Sequence, residues 1–108
     1  MLISVGIPVF NRYDLLSLAI KSCMTSTMKP HQICIVDNGG RIDTDLILDF
    51  ENDIPLSIIR PGMNLGTAGG WNEIIKNTPD NRIIINDDIQ FLPNTIEKMI
   101  IESWKIKN

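Results

Sequence analysis

The residues best placed to do chemistry in this 108-residue chain are two adjacent acids, Asp87 and Asp88, which follow the run Arg82-Ile83-Ile84-Ile85-Asn86. Three consecutive β-branched isoleucines read as a short strand buried on both faces, the way a central parallel strand is written. Aspartate is poor in a strand, so both carboxylates are expected where the strand gives way to a loop, at its carboxyl end. In open α/β sheets that edge is where ligands bind. Paired acids in such a crevice suit a hard divalent cation and, through it, a phosphorylated ligand. A solvated acidic turn accounts for the same residues equally well.

Three other stretches carry polar groups that a ligand could use. Asp37 heads the turn Asp37-Asn38-Gly39-Gly40. Arg12 closes Pro8-Val9-Phe10-Asn11-Arg12 and reads as a solvated loop charge, with phosphate pairing as the alternative. The segment Asn64-Leu65-Gly66-Thr67-Ala68-Gly69-Gly70 either brings backbone N–H groups to a ligand at a helix start or is a sharp loop needing positive φ. Trp71 could stack on a ring or pack in the core. His31 is a lone histidine without a ligand cluster and reads as a surface residue.

The elements that must position these groups alternate. Leu2 to Val9 is an apolar first strand; Asp14 caps a helix whose Leu15, Ala19, Cys23 and Leu16, Ile20, Met24 form two i, i+4 rows, fading by Thr25-Ser26-Thr27. Gln32 to Val36 is a second strand. Asp43 or Thr44 opens a helix with Leu46, Ile47 and Phe50, and Leu56 to Ile59 is a third strand. A helix follows from about Ala68 to Asn77, then the isoleucine strand. The last helix is capped by Asn94 or Thr95 and carries Ile96, Ile100 and Trp104 with Met99 beside them. Such a β-α-β order implies a three-layer, Rossmann-like α/β/α domain with a parallel sheet. With strand order 3-2-1-4, residues 8–12, 37–40 and 86–88 meet at one switch point.

The length is that of a single domain over residues 1–108. A formal net charge of -3 argues against a sequence-independent hold on nucleic acid, which calls for clustered Lys and Arg. No segment reaches the ~18 apolar residues of a membrane span. Cys23 and Cys34 are isolated and read as buried thiols in a reducing, cytoplasmic compartment. Ile101 and Ile106 fall off the apolar stripe of the last helix, as scattered surface residues or a patch for a partner or a second copy. A dinucleotide-binding GxGxxG is missing after the first strand, and no P-loop GK[ST] occurs.

Four segments in order, Ile7-Pro8-Val9-Phe10-Asn11-Arg12, Ile35-Val36-Asp37-Asn38-Gly39, Asn64 to Gly70 and Asn86-Asp87-Asp88, resemble the family 2 glycosyltransferases of the GT-A fold. The resemblance covers nearly the whole chain but only the donor-binding half of a family catalytic domain. It implies a nucleotide-diphosphate sugar as donor, an acceptor the sequence does not identify, and a divalent metal, Mn2+ or Mg2+. The nucleotide-binding residues it implies are Pro8, Val9, Phe10, Asn11, Arg12, Asp37, Asn64, Gly66, Gly69, Asn86 and Asp87. Asp37 would contact the base, Asp87 the ribose side, and Asp88, with Asp87, the metal.

The physics suits these roles. A carboxylate can accept an N–H from a uracil or guanine edge, and a metal on one or two carboxylates can neutralise a departing diphosphate. Two departures stand out: Asn86 replaces the first acid of a DXD-type motif, and the family's general base, an Asp or Glu from the later half, has no counterpart here. Glu97 and Glu102 on the last helix have no expected path to the crevice. The expectation is therefore a glycosyltransferase-like donor-binding domain, transferring with inversion if its acceptor side comes from oligomerisation, a partner subunit or a shorter arrangement of loops. A non-catalytic nucleotide-sugar-binding module is the alternative.

Overall fold

The computed structural model describes residues 2–43, 45 and 53–107, with side chains to residue 103. Within them run β1 (Ser4–Val9), α1 (Tyr13–Met24), β2 (Gln32–Asp37), β3 (Leu56–Ile59), α2 (Gly66–Asn77), β4 (Arg82–Ile84) and α3 (Thr95–Lys107). The strands pair in parallel in the order β3-β2-β1-β4, as expected for a doubly wound sheet. The helix expected from Asp43 or Thr44 through Leu46, Ile47 and Phe50 lies, apart from Asp43 and Asp45, outside the described residues, as do the side chains of Trp104 and Ile106. Among the described residues no helix is long and apolar enough to cross a membrane.

Alternation along the strands assigns the two faces. Val5, Ile7 and Val9 of β1 and Ile33 and Ile35 of β2 pack with Leu16, Ala19, Ile20 and Cys23 of α1. On the other face Cys34 and Val36 meet Ile74 of α2. That helix lies close: a Cβ on Gly6 would overlap the Ile74 side chain, and one on Gly70 would stand 3.0 Å from Pro8 Cβ. The segment after α1 is tied to the start of α3. Thr27 donates its N–H to the Pro93 carbonyl (2.7 Å) and its hydroxyl to Glu97 (2.9 Å), and Ile96 is fully buried.

Several local expectations are corrected. Among the described residues the isoleucine strand pairs with β1 alone, at the sheet edge; Ile83 and Ile84 are half-buried against opposite faces and Ile85 is buried. An isoleucine triplet suits any strand with a helical layer on each side, so it does not distinguish centre from edge. Asp14 lies in the first turn of α1, where its charge favours the helix N-terminus; the capping position is Arg12, with no side-chain cap bond. The second described helix starts at Gly66, two residues before the expected Ala68. Met99 is 44% exposed, off the buried side of α3. The thiols of Cys23 and Cys34 are free and buried, and burial pushes Cys23 up to about 12, so it stays protonated.

The end of β2 is fixed by a buried carboxylate. Asp37 is 1% exposed. Its Oδ1 accepts from the Tyr13 hydroxyl (2.7 Å) and from the N–H groups of Gly40 (2.9 Å) and Arg41 (3.3 Å), while Oδ2 accepts from Ile42 N–H (3.0 Å). Arg60 Nη1 stands 3.6 Å from Oδ2. Burial alone would raise the carboxyl pKa, but the bonds from Ile42, Tyr13, Arg41 and Gly40 outweigh it and hold the pKa below the usual range. Gly39 completes the knot, since a Cβ there would overlap the Phe10 carbonyl oxygen and the Tyr13 hydroxyl.

Two outcomes follow from this knot. Gly39→Ala should destabilise the domain by roughly 1–3 kcal/mol in urea unfolding, because backbone must move to admit the methyl group; a change near zero would show that the β1–α1 corner yields freely. Because the folded pKa of Asp37 is depressed, its stabilising contribution is present above the unfolded pKa of about 3.9 and is lost as pH falls through the folded value. The acid limb of the stability–pH curve should therefore be shallower in Asp37→Asn than in the wild type; superimposable slopes would contradict it.

Candidate functional site

The parallel register brings three strand ends to one edge. Val9 lies beside Asp37 and Gly6 beside Ile84; past the ladder, Ile85 N–H still donates to the Gly6 carbonyl (3.0 Å) and Asn38 N–H to the Val9 carbonyl (2.8 Å). Asn38 then clasps the glycine loop. Its Oδ1 accepts from Leu65 N–H (3.2 Å) and its Nδ2 donates to the Gly66 carbonyl (3.4 Å). Gly66 takes φ +74°, open to glycine at little cost, and its N–H donates to Asn64 Oδ1 (3.0 Å). The N-terminus of α2 is thereby held over the ends of β1 and β2.

Two adjoining cavities occupy this edge. The first, of about 280 Å³, is walled by Pro8, Val9, Phe10, Asn11 and Arg12, by Asn64, Gly66 and Thr67 of the glycine loop, and by Asn38, Asn86 and Asp87. The second, of about 300 Å³, lies between Phe10, the Asp37–Gly40 turn and Gly62, Met63 and Asn64. Phe10, Asn38 and Asn64 line both. Of the residues singled out in the sequence, nine converge on the first cavity and Asp37 on the second, its carboxylate turned inward to its own donors. Gly69 and Asp88 line neither. Gly69 serves packing, since a Cβ there would stand 2.6 Å from Leu65 Cβ. Asn38 and Thr67 were not singled out; Asn38 reads in the sequence only as a turn former beside Asp37.

The two acids differ in setting. Ile89 N–H donates to the Asn86 carbonyl (3.1 Å), closing a turn with Asp87 and Asp88 at its corners. The Asp87 side chain is 6% exposed and that of Asp88 42%. Arg12, expected to be solvated, spans them: Nη2 is 2.9 Å from Asp87 Oδ1, and Nη1 donates to Asp88 Oδ2 (3.2 Å). The contact with Asp87 is one of charge alone, because Oδ1 is buried and receives no aligned N–H. A buried carboxylate oxygen short of a donor, beside a second carboxylate that already holds a cationic group, fits a cation. Among the described residues no cluster of three or more His, Cys, Asp or Glu side chains could hold a metal. A divalent ion here would take Asp87 and Asp88 and complete its shell with oxygens from ligand or water.

Other candidates lie elsewhere. Glu97 is occupied by the Thr27 hydroxyl, and Glu102 lies on α3, off both cavity walls. His31 is exposed, in line with a surface role, and Trp71, 43% exposed, lines neither cavity.

Comparison with known proteins agrees with this arrangement. Over 103 residues the chain is 29% identical to an uncharacterised glycosyltransferase of Bacillus subtilis (strain 168), YwdF, covering 94% of this chain and 38% of that protein. Among solved structures, residues 1–349 of S. aureus TarS in complex with UDP-GlcNAc superpose with a TM-score of 0.80 at 17% identity, covering 94% of this chain and 30% of that one. The mannosyltransferase PcManGT of Pyrobaculum calidifontis, in complex with GDP-Man and Mn2+, gives 0.76 at 15% identity, covering 91% and 31%. The chain spans about a third of the length of these proteins, and its sheet is a truncated GT-A fold. The model of glycosyl transferase family 2 matches residues 4–102, and with the sheet order and the strand-end motifs in register, the chain belongs to that family.

Proposed function

We propose that this chain binds a nucleoside-diphosphate sugar in the paired cavities, with a divalent metal on Asp87 and Asp88, as the donor half of an inverting glycosyl transfer. The observation that carries the reading is Asp87, a buried carboxylate whose Oδ1 lacks an aligned donor and which lines the same cavity as residues 8–12. The second cavity, with Phe10 and Met63 on its walls, suits a flat base. Asp37 shapes that cavity by holding Gly40, Arg41 and Ile42 in place, and reaches a base N–H directly only where one of its present donors gives way. Asn38 fixes Asn64 to Thr67 against the cavity. A bound divalent ion would supply charge neutralisation for the departing diphosphate. The complexes of TarS with UDP-GlcNAc and of PcManGT with GDP-Man and Mn2+ support the donor class and the metal.

Sugar transfer further needs a base for the acceptor hydroxyl, and no side chain on either cavity wall is placed for it. The acceptor side lies outside these two cavities, and two unpaired buried thiols suit a cytoplasmic setting. The lack of a base on either cavity wall also suits a second reading: donor binding without turnover.

Thermal unfolding in the presence of UDP, GDP, TDP or CDP, with and without Mn2+, tests the first reading. A ligand at a hundred times its Kd adds about 2.7 kcal/mol. For a domain of this size that corresponds to a rise in Tm of roughly 10 °C or more. One nucleotide should give a metal-dependent rise, cut sharply in Asp88→Asn and Asp87→Asn; no rise with any nucleotide, or equal rises in the variants, would contradict it. Incubation with the matching nucleotide sugar separates the readings, since release of sugar or nucleoside diphosphate that Asp88→Asn abolishes indicates catalysis and its lack at every protein concentration indicates a binding module.

A further inference from the structure

We propose that Arg12 is the resident counter-ion of the Asp87–Asp88 pair, and that it passes from these carboxylates to the diphosphate when donor and metal bind, so that metal and nucleotide bind as a unit. This rests on the reading above of the acid pair as the metal site. Three observations carry it. The guanidinium already lies where the cation belongs, 2.9 Å from Asp87 Oδ1 and 3.2 Å from Asp88 Oδ2. It is loosely held: the side chain is 50% exposed, gives one aligned hydrogen bond to a partly solvated carboxylate, and leaves the buried Asp87 oxygen without one. Arg12 also lines the same cavity as Asn64, Gly66 and Thr67, so a diphosphate there is within reach of its fork.

The charge count favours the exchange. Two carboxylates and one guanidinium sum to one negative charge. A divalent ion added without displacing Arg12 would leave two cationic centres crowded on the pair. With Arg12 displaced, the ion neutralises the carboxylates, and the freed guanidinium needs an anion. Without nucleotide it has only water; with a diphosphate it finds phosphate oxygens that match its bidentate geometry. Metal binding alone is therefore opposed by Arg12, and metal binding with nucleotide is helped by it. The same side chain should have opposite signs in the two measurements.

The experiment is an Mn2+ titration followed by the electron paramagnetic resonance signal of the free ion, with wild type, Arg12→Ala, Arg12→Gln and Asp88→Asn. Each is titrated alone and with the nucleoside diphosphate that gives the largest thermal shift, or with UDP if none does. The start of α1 does not depend on the Arg12 side chain, which makes no cap bond, so both Arg12 variants should fold. Removing the guanidinium should tighten Mn2+ on the nucleotide-free protein about fivefold or more, the equivalent of a partly exposed ion pair. The same variants should bind the nucleotide with Mn2+ roughly tenfold more weakly, for loss of a charge-assisted contact. Unchanged or weaker Mn2+ affinity in both Arg12 variants, with binding still lost in Asp88→Asn, would overturn the counter-ion role and leave the metal site standing. No Mn2+ bound by any form, with or without nucleotide, would overturn both.

Discussion

A carboxylate taken out of water must be answered by donors or by a cation, and the two buried acids at this sheet edge are answered in opposite ways. Asp37 is met entirely from within, by a tyrosine hydroxyl and three backbone N–H groups with Arg60 behind them. Asp87 keeps one buried oxygen without an aligned donor, with only a half-exposed guanidinium nearby. The first arrangement makes a rigid corner. The second leaves a charge balanced by one exposed side chain, and the parallel register sets the two on either side of the end of β1, because β1, β2 and β4 all end at one edge.

The division separates scaffold from site. The glycine loop reaches its position through Asn38 and the positive φ of Gly66, and the first turn of α1 through the bond between Tyr13 and Asp37. Neither contact has to change for a ligand to bind in the first cavity. The movable part is Arg12, a long side chain at the capping position of α1 whose reorientation leaves the backbone where it is. If the proposed donor site has these fixed walls and one exchangeable charge, binding there costs little ordering entropy.

Much of this was legible in the sequence because parallel α/β folds write their elements plainly. Leu56 to Ile59 is a strand of the expected span, β2 runs one residue further than expected, and the order β3-β2-β1-β4 follows from the alternation and its crossovers. The meeting of residues 8–12 with 86–87 was legible too, since strand ends at a switch point have little choice. Side-chain partners were not. Asp37 reads as an acid at a turn whichever way its oxygens point, and only the fold shows that the backbone behind it claims them. Arg12 reads as solvated until the turn at Asn86–Ile89 brings two acids to it from 75 residues away. The isoleucines of β4 alone read as a central strand because apolar layers pack on both faces of it, and only the strand order puts it at the edge.

The account as a whole rests on one location for nucleotide and metal. Backbone amide spectra of the 15N-labelled protein, recorded with nucleoside diphosphate and Mg2+ and then with Mn2+, test it most directly, because Mn2+ broadens signals of nuclei near it. Broadening should centre on residues 10–12, 38, 64–67 and 86–89 and spare 31–32 and 80–82, at the amino ends of β2 and β4. Broadening centred on those amino ends, or spread evenly over the acidic surface, would contradict a donor site at the carboxyl edge.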